Sequence, residues 1–259
     1  MAVVRRVPIL LLLMAALSAC GGGSSSSSSS PVPDPAAARS TTFAERTARF
    51  TVLIDATVGG QAVRSSETGT LSFAERQAHV YKLVPGGGLP QELIFDGPYT
   101  YTNANVEAAL KDRSVKPWTK LDSRRLSEKE RSSRPDELAH VRALVHLPDG
   151  VDGATRLDTV TVADERVTQF RGLVHPTEVI ARAPTAQRRG IAEALRNDYP
   201  AKPFLASFWL DDAGRVRRVL VSYNTAGGSE ISLDGRFSDF GAKVDLTLPP
   251  ARSIQDITP

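Results

Sequence analysis

Pro203 to Tyr223, PFLASFWLDDAGRVRRVLVSY, is the stretch whose reading decides the fold. Phe204, Ala206, Phe208 and Leu210 fall on every second position, which places them on one face of a strand. Asp211 to Gly214 supplies turn residues, and Val216 to Tyr223 runs back as the partner strand of a hairpin. Working outward, Gly227 and Gly228 turn the chain into Glu230 to Phe237. After a corner at Ser238 to Gly241, Val244, Leu246 and Leu248 alternate with Asp245 and Thr247, and Pro249 and Pro250 end the expected last strand.

The same period recurs upstream. An alanine-rich stretch from Ala36 leads into Phe43 to Phe50, where Phe43, Thr47 and Phe50 share one face at helical spacing. From Phe50 the residues Val52, Ile54, Ala56 and Val58 alternate with polar neighbours, the pattern of a half-buried antiparallel strand. Gly59 and Gly60 turn the chain, and Thr68 to Phe73 and Ala78 to Val84 are the next two strands. A glycine-rich loop, Pro85 to Pro90, precedes Glu92 to Phe95, and the Asp96, Gly97, Pro98 turn leads to Tyr99 to Thr102, with Tyr99 and Tyr101 on one face. Val106 to Lys111 is a helical turn and Lys116 to Leu121 a short edge strand.

Arg124 to Arg134 is a highly charged run that could touch anionic lipid headgroups, although the acidic and serine residues within it favour a plain solvated segment. A helix is expected from near Ser133, with Pro135 in its first turn, Leu138, Val141, Leu144 and Val145 as its apolar stripe, and Pro148 at its end. Thr155 to Val162 and Arg166 to Val174 are strands. A further helix from Pro184 to Arg196 buries Ile191, Ala194 and Leu195, with Gly190 weakening it by about 1 kcal/mol. The whole is a long antiparallel meander interrupted by a few helices.

The amino end has a different character. Met1 to Ala19 has the layout of an export signal, with Arg5 and Arg6 ahead of an apolar stretch, Ile9 to Leu17, that is too short to cross a bilayer. Leu17, Ser18, Ala19 and Cys20 match the lipobox of bacterial lipoproteins, in which the cysteine thiol takes a diacylglyceryl group. Cys20 is the only cysteine, so no disulfide can form within one chain. Two acyl chains, at about 0.8 kcal/mol per buried CH₂, anchor stably where one does not. Gly21 to Pro35 is a Gly/Ser/Pro tether by composition, and the segment to residue 40 reaches roughly 25 Å. The expected organisation is a signal over 1–19, an anchor and tether over 20–40, and one globular domain over 41–259.

Composition narrows the classes. Loss of Arg5 and Arg6 with the signal takes Lys plus Arg from 32 to 30 against 29 acidic residues, a balance unlike that of a dedicated nucleic-acid binder. The four histidines, His79, His140, His146 and His175, are scattered, and His140 and His146 do not share a helix face, so no metal site is expected. No Gly-x-Ser-x-Gly elbow is present, and an acylated Cys20 is no nucleophile. Asp211 and Asp212 sit at a hairpin tip and serve the turn, while Gly86 to Gly88 lack the Lys and Ser of a phosphate loop. No catalytic residue, cofactor or metal is assigned.

The run ending in ISLDGRFSDFGAKVDLTLPP (231–250), with the lipobox, the tether, the helix entering a strand near Phe50 and Trp118 on a short strand after the Tyr99 hairpin, resembles the actinobacterial LppX/LprG family of lipoproteins, themselves similar in fold to the LolA carrier. The resemblance implies an α+β fold: a strongly curved antiparallel sheet, a half-barrel, with helices covering its concave face and an apolar cavity between them. Phe50, Val52, Ile54, Leu138, Val141, Phe204 and Phe208 are the expected cavity-lining residues. It further implies a monomer, tethered to the cell membrane on the extracytoplasmic side, that carries acyl lipids or glycolipids without catalysis and exchanges them with an envelope transport partner. The alternatives from other classes are a tethered interaction module with a filled interior, and a hydrolase of envelope polymers that would need clustered carboxylates or a Ser/His pair in a cleft.

Overall fold

A computed structural model describes residues 32–83, 89–134, 136–162, 165–225 and 228–259. The signal segment, Cys20, most of the tether, the Gly86 to Gly88 loop, Pro135 and Gly227 lie outside the described residues. Pro35–Ala37 forms a 3₁₀ turn capped by the Asp34 side chain, and α1 follows at Ala38–Ala44. Ala38 is fully buried, so residues 35–40, tether by composition, are part of the packed structure.

Next come β1 (Thr47–Val58), β2 (Gln61–Ser72), β3 (Gln77–Leu83), β4 (Gln91–Asp96), β5 (Tyr99–Thr102), α2 (Val106–Lys111), β6 (Trp118–Asp122) and α3 (Glu128–Ser133). The chain continues through α4 (Ala139–His146), β7 (Val151–Val162), β8 (Glu165–Val174), α5 (Pro176–Arg182) and α6 (Thr185–Asp198). It closes with β9 (Phe204–Asp211), β10 (Val216–Asn224), β11 (Glu230–Ser238) and β12 (Ile254–Asp256). Among the described residues the twelve strands form a single curved sheet in the order β12-β6-β5-β4-β3-β2-β1-β11-β10-β9-β8-β7. Every neighbouring pair is antiparallel except β12 with β6, which is parallel, so the sheet is mixed at one edge.

Register shows how the alternation builds the core. One cross-strand row runs Phe237, Phe50, Gly69, Val80, Leu93, Thr102, Thr119, and the row beside it runs Ala48, Leu71, Ala78, Phe95, Thr100, Leu121. A third joins Phe170, Phe208, Val219, Gly235 and Val52. The apolar members of these rows as far as Leu93 and Phe95, with Leu138, Val141, Leu144, Ile191 and Leu195 from the helix layer, make one continuous hydrophobic core. Gly69 sits where a Cβ would strike the backbone of His79, a close strand approach of the kind that bends a sheet. At Gly235 a Cβ would stand 2.5 Å from Leu144 Cδ1, so the missing side chain lets α4 settle directly on β11.

Several expectations change. The helix expected over Phe43 to Phe50 ends at Ala44: Arg46 takes a left-handed φ of 66° and Thr47 to Phe50 pair with β2 instead, because Phe50 belongs to the inner row. The strand expected at Val244 to Leu248 forms no ladder, since β1 already has β2 and β11 on its two sides. The chain is extended there with only Val244 buried, and the last strand is Ile254–Asp256. The helix expected from Ser133 begins at Ala139, where Asp136 accepts from the backbone N–H of Leu138 at 3.2 Å. Two helices were not expected: α5, opening on Pro176, and α3, opened by a capping box between Ser127 and Glu130.

Candidate functional site

The inner row changes character toward the β12 edge. Past Phe95 and Leu93 it continues as Thr100, Thr102, Thr119 and Leu121, and the helix layer does not settle onto these residues. The long helix α6 buries Ile191, Ala194 and Leu195 against α4 and the sheet. Its earlier turns carry Ala186 and Gly190 along the gap, and a Cβ at Gly190 would stand 3.2 Å from Asp136 Oδ2 and 3.4 Å from Ala139 Cβ, so this glycine lets α6 lie close to the start of α4. A trench of about 530 Å³ results, floored by the threonines and Leu121, walled by α6 and by the segment from α3 to α4, with Leu126 and Ile257 as apolar patches.

A recess of about 320 Å³ continues it toward the middle of the sheet, where Ile54, Ala194 and Leu233 supply apolar lining. Asp136, Glu137 and Glu193 border both spaces. From β1 to β6 the sheet crosses five strand spacings, roughly 24 Å, so trench and recess offer an elongated berth. Their combined size is in the range of small-molecule sites, roughly 300–1,000 Å³.

The recess is organised by Glu67. Its carboxylate is buried between Lys82 Nζ at 2.6 Å and His140 Nε2 at 2.7 Å. Burial by itself pushes the carboxyl up, but the hydrogen bonds and charges of His140 and Lys82 together outweigh it and hold it at about 2. Glu137 and Asp198 lack such partners and are raised above the usual carboxylate range by burial. At the trench floor, the Arg76 guanidinium is lowered by burial; it donates to the Gly97 carbonyl at 2.9 Å and to Thr100 Oγ1 at 2.8 Å, and lies over the Phe95 ring.

Of the residues expected to line a cavity, Ile54 lines the recess. Phe50, Val52, Leu138, Val141, Phe204 and Phe208 are packed in the hydrophobic core. Cys20 lies outside the described residues. Arg131 and Arg134, within the charged run for which a solvated segment was favoured over headgroup contact, border the trench, as does Arg189. No local pattern marks them, because the trench brings together segments far apart in the chain.

The other polar groups are structural. His146 is fully buried, with Nε2 at 3.1 Å from Gln187 Oε1 and Nδ1 at 3.4 Å from Asp149 Oδ2; Gln187 in turn donates to the Phe73 carbonyl. Arg39 of α1 reaches the same Asp149, and Phe43 packs against the His146 ring, so this node fastens the first helix to the helix layer. Asp211 accepts from the backbone N–H of Ala213 and Arg215 and from Arg215 Nε, the turn role expected of it. Among the described residues no group of three or more His, Cys, Asp or Glu is placed to hold a metal ion, and no helix is long and apolar enough to cross a membrane.

No protein-family model matches the chain, and no curated protein matches it in sequence. Its fold is similar to that of several solved structures. LprF from Mycobacterium bovis is 15% identical, with 85% of this chain and 99% of that one covered and a TM-score of 0.46. The lipoprotein LppX of Mycobacterium tuberculosis is 11% identical over 82% and 97% of the two chains, with a TM-score of 0.47. A LolA superfamily protein from Nitrosomonas europaea is 11% identical over 78% and 88%, with a TM-score of 0.26.

Proposed function

We propose that this chain is an exported lipoprotein, acylated at Cys20, whose domain binds an acyl lipid or glycolipid in the space between the helix layer and the β1 to β6 half of the sheet. The observation that carries the reading is the trench itself. The helices cover a curved sheet without filling its β5–β6 end, and the remaining volume is elongated, apolar at its two ends and polar between. That alternation suits an amphiphile better than a small polar metabolite. Chemistry on the ligand is not part of this reading: the buried Glu67 carboxylate is engaged by Lys82 and His140, an arrangement that positions the helix cover. The domain works at the extracytoplasmic membrane surface, as a monomer, and passes its lipid to an envelope partner.

The test is native mass spectrometry of the detergent-purified full chain from its own host, followed by lipid extraction. A bound acyl lipid at near-unit occupancy is expected; a lipid-free protein that also takes up no labelled lipid rejects the reading.

A second reading, a tethered interaction module, is favoured by one observation: six of the seven expected lining residues are committed to a filled core. In that case a lipid-free protein retains its surface partner.

A further inference from the structure

Three arginines border the trench from two sides. Arg131 lies in the last turn of α3 and Arg134 is the extended residue that follows it, both bordering the trench, and Arg189 comes from α6 on the facing wall. All three are exposed. Among the described residues none of them makes an ion pair within 4 Å, although the Arg134 charge helps to lower the Glu130 carboxyl. The other basic lining residue, Arg76, is engaged with Gly97 and Thr100 at the floor.

The acidic side of the lining is partly answered from behind. Asp136 is 3.7 Å from Arg142 Nη1, a buried guanidinium outside the trench lining. Four arginines therefore face three carboxyl groups, one of them shared with a fifth arginine. Such a cleft, with protein walls on two sides, concentrates a positive field at its mouth. Guanidinium groups with free donors bind phosphoryl and carboxylate oxygens in paired hydrogen bonds, which an ammonium cannot do. The threonine floor below adds the Thr102 hydroxyl, while that of Thr119 donates to the Thr102 carbonyl at 3.3 Å.

We propose that the trench mouth is an anion subsite, in which Arg131, Arg134 and Arg189 clasp the phosphate or other anionic group of an amphiphile from opposite walls. The inference rests on the lipid-binding reading above and specifies its ligand class: lipids with an anionic head, in preference to zwitterionic or neutral ones. The head lies between α3 and α6, and the hydrocarbon extends along the trench toward Ile54 and Leu233.

The experiment compares uptake of fluorescently labelled phosphatidylglycerol and phosphatidylcholine of matched chain length by the full chain, at low and high salt. It includes a triple Arg131→Ala, Arg134→Ala, Arg189→Ala variant, the corresponding triple Lys variant, and inorganic phosphate alone by calorimetry. The expected result is a preference for phosphatidylglycerol of about tenfold or more, equivalent to roughly 1.4 kcal/mol, weakened by salt. The alanine variant loses most of that preference while still taking up phosphatidylcholine, which also shows that it is folded, and the lysine variant recovers part of it. Equal uptake of the two lipids by the wild-type chain overturns the anion subsite and leaves lipid binding standing. Uptake of neither overturns both. Tight binding of inorganic phosphate without lipid uptake reassigns the arginines to a free anion and overturns the headgroup assignment.

Discussion

Glu67 on β2 and His140 on α4 meet at 2.7 Å across the boundary between the sheet and its helix cover. Much of that boundary is apolar, held by residues such as Phe50, Val141 and Leu144, with further polar links from Arg142 to the Ser72 carbonyl and from Gln187 to the Phe73 carbonyl. Here a buried carboxylate answers the helix and, through Lys82, the neighbouring strand. Removing one partner of such an arrangement strands the others, which is the costly event for buried charge.

Stability should therefore depend on pH through Glu67. Its folded value of about 2 lies below the ordinary 4.5, so its contribution is complete above about pH 5 and disappears as pH falls toward 2. The full gap corresponds to about 3 kcal/mol. Urea denaturation of wild type and Glu67→Gln should show a clear deficit for the variant at pH 7 that narrows by pH 3. A deficit independent of pH would show that the carboxylate charge plays no part.

Gly235 should not tolerate a methyl group. Its Cβ would stand 2.5 Å from Leu144 Cδ1, and overpacking of this kind costs about 1–3 kcal/mol. Gly235→Ala should lower the melting temperature, and adding Leu144→Ala should cost less than the sum of the two single changes because the second makes room for the first. Strict additivity would mean that α4 does not rest on β11 at this point.

Filling the trench should abolish lipid uptake without unfolding the domain. Ala186 is exposed on α6 and borders the trench, so Ala186→Trp places an indole in the gap without disturbing the core. Labelled-lipid binding should fall by about tenfold or more at an unchanged melting temperature. Undiminished uptake would move the ligand elsewhere.

Cys20→Ser should release the protein from the membrane. Detergent phase partitioning of whole cells is expected to shift the chain from the detergent to the aqueous phase, since two acyl chains provide the anchoring. A variant that stays with the membrane would overturn acylation at Cys20.

Much of the sheet was legible because alternation is a local signal. The hairpin of β9 and β10 was readable nearly to its ends, as were the faces of Phe204, Ala206, Phe208 and Leu210, now fully or largely buried. Local pattern misled where two periods coexist. Phe43, Thr47 and Phe50 fit a helix, yet Phe50 also fits the strand, and cross-strand pairing with Gly69 and Phe237 decided for the strand. Val244 to Leu248 alternate as a strand does, but alternation cannot tell that the neighbouring sheet positions are already taken.

The amino-acid sequence by itself determined most of the strand segments and turns, the apolar side of strands such as β9, and that Cys20 is the residue to test for acylation. Tertiary structure alone decided where space remains. The trench lies where α4 comes down on β11 at Gly235 and the early turns of α6 border, without filling, the space above the threonines of β5 and β6. Which side chains border it, among them Arg131, Arg134 and Arg189, follows from the distance between packed elements. A cavity is the volume that packing leaves over, and that is a property of the assembled layers which no periodicity along one chain can encode.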